Sequence, residues 1–260
     1  MSKMGYASSA NVVRCRPAAC RVPLSRRANP KIRLYDLAAA DEAVRFSPHV
    51  WRVKMALKHK ELEFETIPWR FIEKDAIAFS GQKLVPVLVD GERAVSDSWD
   101  IACYLESTYP DRPSLFGCAT GEAHALFVKF WCDQVLQGIL FRIILPDLFA
   151  RLHEDDKPYF RQTREARLGC TLEELAVPPD EGVASLSDAL GPLRSLLKRQ
   201  AFIGGAAPSF ADYIVFGAFQ WARCMSPIRL LREKDPVYAW RDRLFDAYDG
   251  YARSAPGESV

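Results

Sequence analysis

Leu84-Val85-Pro86-Val87-Leu88-Val89, followed by Asp90-Gly91 and then Arg93-Ala94-Val95, is the stretch on which the fold turns. A run rich in valine and leucine reads as a buried strand, and Asp-Gly is a hairpin turn leading into a shorter partner. Pro86 is anomalous in such a run, because proline has no N–H to give to a sheet ladder. Either the strand is an edge, or the proline starts it after a cis bond that points a neighbouring backbone outward.

Working upstream, Glu63 to Trp69 reads as a strand, and Ile32-Arg33-Leu34-Tyr35-Asp36-Leu37 alternates apolar and polar residues as a half-buried strand does. Between them Ser47-Pro48 opens a helix: serine is a natural N-cap, proline suits the first helical position, and Val50, Val53 and Leu57 follow at helical spacing. Phe71 to Phe79 reads as a loop or irregular helix. Downstream, Asp97-Ser98 starts a second helix with Ile101, Ala102 and Leu105 on one face. The order is βαβ then ββα. Beyond a linker over Asp111 to Gly121 the pattern is helical almost throughout: Glu122 to Leu145, Asp156 to Glu174, Ser185 to Lys198, Ser209 to Cys224 and Pro236 to Tyr248. An α/β domain followed by an all-α domain is expected.

Composition narrows the function classes. With 49% hydrophobic and 26% charged residues the chain has globular composition, and a net charge of +2 offers no electrostatic case for nucleic acid or an anionic membrane. No apolar run reaches the ~18 residues of a spanning helix, since Arg142 and Asp147 interrupt the most hydrophobic stretch. The seven cysteines form no CxxC pair, and the four histidines lie far apart, so no metal centre is expected and a reducing cytoplasm is the simpler setting. Residues 1–30 carry Arg14, Arg16, Arg21, Arg26 and Arg27, with no acid before Asp36. They read as a basic, disordered tail, a start codon placed too far upstream or a transit peptide.

Four local matches carry a family resemblance. They are Ser47-Pro48-His49-Val50-Trp51-Arg52, Leu84-Val85-Pro86-Val87-Leu88, Ser96-Asp97-Ser98-Trp99-Asp100-Ile101, and Phe202-Ile203-Gly204-Gly205 followed by Pro208-Ser209-Phe210-Ala211-Asp212-Tyr213. In this order and spacing the chain resembles the glutathione transferase superfamily, over roughly residues 31 to 255. Ser-Pro-His-Val-Trp-Arg, Asp-Ser-Trp-Asp-Ile and Phe-Ala-Asp-Tyr most resemble bacterial serine-type members related to glutathione-dependent β-etherases. The resemblance implies a thioredoxin-like glutathione-binding domain over 31–115, an all-helical domain over 122–255, glutathione as cosubstrate and a homodimer.

It also implies roles. Ser47 takes the catalytic position, where a hydroxyl and a helix N-terminus stabilise a thiolate that is scarce at neutral pH in water. Read alone, Ser-Pro is only a good helix start. Val85, preceding Pro86, would pair with the cysteinyl backbone of glutathione, and Asp97 and Ser98 would hold its γ-glutamyl end. Read alone, Asp-Ser is a capping pair. Lys83 and Gln82 are the candidates for the glycyl carboxylate, ahead of Arg70 and Lys74. Phe46, His49, Trp131 and Val135 are expected to line a pocket for a small apolar electrophile. Ser209-x-x-Asp212 reads as a structural capping box. The expected activity is attack of glutathione thiolate on that electrophile, by conjugation, ether cleavage or peroxide reduction. The alternatives are a non-catalytic interaction protein of the same fold and a glutaredoxin-like thiol transferase, the latter disfavoured because no cysteine stands near Pro48.

Overall fold

The computed structural model describes residues 31–258. The basic tail expected over residues 1–30 lies outside them. The chain starts with β1 (Ile32–Leu37), α1 (Pro48–His59) and β2 (Phe64–Trp69), passes a 3-10 turn over Lys74–Ser80, and continues through β3 (Val87–Asp90), β4 (Arg93–Ser96) and α2 (Ser98–Thr108). The strands form one sheet in the order β2-β1-β3-β4, with β1 and β2 parallel and β3 antiparallel to both neighbours. This is the thioredoxin-like arrangement. β3 is shorter than expected from the apolar run: it begins only after Pro86, and the Val85–Pro86 bond is cis. Both alternatives for Pro86 reduce to the second, because β3 is an interior strand and proline precedes its ladder. Gly91 has φ 60, the left-handed backbone that the Asp90-Gly91 turn requires.

The helical part comprises α3 (Ala119–Trp131), a π-helical segment (Cys132–Leu136), α4 (Gln137–Arg151), α5 (Asp156–Leu168), α6 (Leu172–Leu175), α7 (Pro179–Ala189), α8 (Gly191–Leu197), α9 (Phe210–Met225) and α10 (Pro236–Gly250). The helix expected over 122–145 is thus interrupted by the π segment. That expected over 156–174 is broken by Gly169, which caps α5 with φ 74. α6 then restarts on a capping box between Thr171 and Glu174.

α9 is the axis of the molecule, buried along nearly its whole length. Its start is held by Asp212, whose carboxylate accepts from the N–H groups of Ile203 (2.7 Å), Gly204 (2.9 Å) and Ser209 (2.9 Å) and from Trp240 Nε1 (2.8 Å). The capping residue therefore also ties the preceding loop and α10 to α9. Against α9 lies α1, at a separation only glycine permits: a Cβ on Gly217 would sit 2.4 Å from the Pro48 carbonyl oxygen. Pro48 begins the turn that carries Ser47, so this contact joins the core of one domain to the site of the other.

Candidate functional site

The loop entering α1 is pinned at both ends. Ala38 N–H donates to the Trp69 carbonyl (2.9 Å), Phe46 N–H to that of Leu37 (3.0 Å), and Trp51 Nε1 to that of Arg45 (2.8 Å). Ser47 follows as the N-cap of α1. It is 3% exposed, and its Oγ accepts from Val50 N–H at 3.2 Å. That cap uses a lone pair and leaves the hydroxyl proton free to donate. Pro48 contributes no N–H, so the His49 N–H is the first-turn donor left over by helix and cap. Ser47 opens onto a cavity of about 670 Å³, which also meets Phe46, Pro48, His49 and Val85.

The cavity brings together part of the expected set. Phe46, Ser47, His49 and Val85 line it; Trp131 and Val135 do not. Trp131 packs against the hydrophobic core before the π segment begins, and the π segment bears on the residues within and after it. Its wider turn shifts the helix register by about one residue, so Asp133, Gln137, Gly138 and Phe141 face the cavity. Val135 is 38% exposed instead. The remaining wall includes Trp69, Phe71, Phe160, Trp221, Arg142, Arg164 and Arg167, none of which was expected at a pocket. Aromatic residues fill the core as well, and no spacing marks which of them border a void.

His49 is held well below the usual imidazole pKa, first by burial and then by the Arg52 guanidinium, so it is neutral at physiological pH. Arg52 is fully buried and pairs with Asp133 at 2.5 Å. Asp133 also accepts from Lys129 (3.0 Å) and Gln137 (2.7 Å).

Asp97 and Ser98 sit together at the start of α2. Asp97 adopts φ 69, rare and strained for a residue with a Cβ. Its carboxylate caps the helix, accepting from Trp99 N–H at 2.7 Å. Ser98 is 1% exposed, and its Oγ has no hydrogen-bond partner. A buried hydroxyl without a partner costs ~1–3 kcal/mol, and an N-terminal helix position is where an anion would satisfy it. The Val85 main chain likewise makes no hydrogen bond among the described residues, a free edge that an extended peptide can join. Gln82 and Lys83 are exposed on the loop before Pro86 and lie off the cavity wall. The Lys83 carbonyl accepts from Lys74 Nζ (2.7 Å), and Arg70 is paired with Glu73 (3.1 Å).

The cysteines are placed unfavourably for thiol chemistry at this site. Burial pushes Cys132 up to about 11 and Cys224 up to about 12. Neither they nor the other described cysteines line the cavity. Among the described residues no group of three metal-ligating side chains is assembled, and no helix is long and apolar enough to cross a membrane.

Comparison with known proteins places this geometry. Family models match two stretches, described as "Glutathione S-transferase, N-terminal domain" over residues 43–113 and "Glutathione S-transferase, C-terminal domain" over residues 123–243. The glutathione S-transferase-like protein ustS of Aspergillus flavus is 30% identical over 141 residues, a match spanning 50% of this chain and 50% of that one. The chain thus spans about half the length of that relative. A probable glutathione S-transferase of Oryza sativa subsp. japonica, GSTU6, is 26% identical over 230 residues, covering 82% of this chain and 86% of its own. Among solved structures, a glutathione S-transferase of Ceriporiopsis subvermispora in complex with glutathione superposes with a TM-score of 0.72 at 25% identity, over 85% of this chain and 99% of that one. With both domain models matched in order and the thioredoxin-like sheet followed by helices, the chain belongs to the glutathione S-transferase superfamily.

Proposed function

We propose that the protein is a serine-type glutathione transferase that delivers glutathione thiolate to an electrophile bound in the 670 Å³ cavity. The observation that carries this reading is Ser47: a buried hydroxyl at a helix N-terminus, with its proton free, opening onto that cavity. The cosubstrate is glutathione. Its γ-glutamyl carboxylate fits the unpartnered Ser98 Oγ and the α2 N–H groups, its ammonium fits Asp97, and its cysteinyl main chain fits the free Val85 edge. Gln82 and Lys83, exposed on the loop before Pro86, are the candidates for the glycyl carboxylate.

The chemistry needs little from the protein beyond placement and charge stabilisation. A thiol with a pKa near ~8.5 is mostly protonated at neutral pH. A hydroxyl donor and a helix N-terminus lower that pKa by stabilising the anion, and His49, being neutral, neither adds nor removes charge beside it. Holding thiolate and electrophile together in a largely apolar cavity supplies proximity and excludes water. Conjugation is the default reaction, and the same thiolate would serve ether cleavage or peroxide reduction. A detoxifying role in the cytoplasm accords with this chemistry. The exposed Phe127 (71%) and Phe130 (49%) on α3 support a homodimer, which light scattering would report.

The test is calorimetric titration with glutathione, followed by turnover on an aryl halide, an isothiocyanate, a peroxide and an aryl ether. Binding with turnover on at least one acceptor is expected. Binding without turnover on any acceptor would support the non-catalytic reading, and reduction of a mixed disulfide in place of conjugation would support the glutaredoxin-like one.

A further inference from the structure

The wall that the helical domain gives to the cavity is unevenly charged. Three arginines reach it, Arg142 from α4 and Arg164 and Arg167 from α5, against one carboxylate, Asp133. Asp133 is already engaged by Arg52, Lys129 and Gln137. None of the three arginines forms an ion pair among the described residues. Arg142 Nε donates to the Leu175 carbonyl (3.1 Å) and Arg164 Nη1 to Thr163 Oγ1 (2.8 Å), both neutral acceptors.

Arg164 is the most constrained of the three. Its guanidinium carbon lies 4.4 Å from the Phe160 ring centroid and 4.8 Å from that of Phe71. Burial, with Arg167 one turn away, lowers its pKa to about 10. Ring faces attract a cation but do not neutralise it, and like charges at i and i+3 on a helix repel. A planar anion entering between these residues would relieve both, since guanidinium pairs with a carboxylate through two parallel hydrogen bonds. Beside it, Phe141 and Trp221 stack at 17° with centroids 6.2 Å apart, a flat aromatic surface in the same cavity.

We infer that the acceptor of this protein is an aromatic electrophile carrying an anionic group, a carboxylate or its like, held by Arg164 with Arg167 beside it. The inference rests on the glutathione transferase reading of the same site and adds the substrate class. In the reaction the thiolate forms a C–S bond at the electrophilic carbon, and the leaving group departs with the electron pair of the bond it breaks. The thiol proton passes to solvent. The arginines take no part in bond making; they fix the far end of the acceptor, so their effect is specificity.

Two measurements separate the acceptor site from the wider reading. The first is binding alone: calorimetric titration of the protein with dinitrobenzoate and with its methyl ester, neither of which has a leaving group. The anion should bind at least about tenfold more tightly, the value of one charge-assisted hydrogen bond. Arg164→Gln should erase the preference, and Arg164→Lys, which keeps the charge, should retain part of it. The second is turnover with glutathione on para-chloro-dinitrobenzoate and its methyl ester. There Arg164→Gln should lower kcat/KM at least about tenfold for the anion and less than about twofold for the ester, with the KM for glutathione unchanged. Equal affinity for anion and ester in the parent protein would overturn the inference, whether or not turnover occurs. So would a rise in the KM for glutathione on Arg164→Gln, which would assign the arginine to the glycyl carboxylate. An anion preference in binding without turnover of either acceptor would uphold the cationic pocket and overturn the enzymatic reading.

Discussion

Replacing Ser98 by alanine should push the free and the glutathione-bound protein in opposite directions. Without ligand, the Ser98 Oγ is buried and unpartnered. Removing it discards a group whose desolvation costs ~1–3 kcal/mol, and alanine is the better helix former at the start of α2. The free variant should therefore melt at the parent temperature or above it. In the proposed glutathione complex the same hydroxyl would make a charge-assisted hydrogen bond of about 1.5–3 kcal/mol, so its loss should raise Kd by about 10- to 150-fold. At a glutathione concentration 100 times the parent Kd, the ligand stabilises the parent by about 2.7 kcal/mol. A variant weakened about 30-fold keeps only about 0.9 kcal/mol of that. Scanning calorimetry with and without glutathione reads both halves. A variant that melts lower without ligand, yet gains as much from glutathione as the parent does, would refute the placement of the γ-glutamyl carboxylate and make Ser98 a purely structural residue.

Other expectations follow from the packing and the buried polar groups. Gly217→Ala should destabilise by about 1–3 kcal/mol despite the better helix propensity of alanine, because its Cβ meets a backbone oxygen that cannot rotate away. Its turnover should fall as well, since the displaced residue is Pro48. Asp212→Asn should cost about 1–3 kcal/mol in urea unfolding, by presenting an NH2 group to donors that need an acceptor. His59 sits with Nδ1 2.6 Å from the Tyr213 hydroxyl and Nε2 3.0 Å from the Ser114 carbonyl, and burial lowers its pKa. The unfolded chain, with a histidine pKa of ~6.5, then takes up the proton first. Stability from this group is present above pH ~6.5 and is lost as pH falls below it, by at most about 1.4 kcal/mol per pH unit. Comparing urea unfolding of parent and His59→Gln at pH ~7.5 and pH ~5 should show the smaller loss in the variant.

Much of the fold was legible because its signals are local. The alternation in β1, the Asp90-Gly91 turn and the Ser47-Pro48 and Ser209-x-x-Asp212 helix starts each act within a few residues. Pro86 showed that β3 is unusual but left two explanations, and only the sheet order decides between them. The cavity was less legible. Trp131 and Val135 were expected on the wall, whereas Asp133 and Gln137, within and just after the π segment at Cys132–Leu136, line it instead. Nothing in the spacing of the sequence announces that segment. Nothing in the sequence marks Arg164 as a wall residue, and only the packing of α5 against Phe71 puts its charge at an apolar surface.

In the proposed mechanism the Ser47 hydroxyl stabilises the thiolate of bound glutathione. This claim is tested most directly by titrating the ultraviolet thiolate absorbance of glutathione bound to the parent and to Ser47→Ala. A hydrogen bond of about 1.5–3 kcal/mol to the anion corresponds to about one to two pKa units at 1.36 kcal/mol per unit. The variant's titration should therefore move up by about that much, with turnover at neutral pH falling roughly 10- to 100-fold and glutathione affinity changing far less. The loss of the N-cap to Val50 should lower stability by only about 1 kcal/mol, which a melting curve would verify before the comparison is made. A folded Ser47→Ala protein with an unshifted thiolate titration and full turnover would contradict the claim, and would leave Ser47 as the cap of α1 alone.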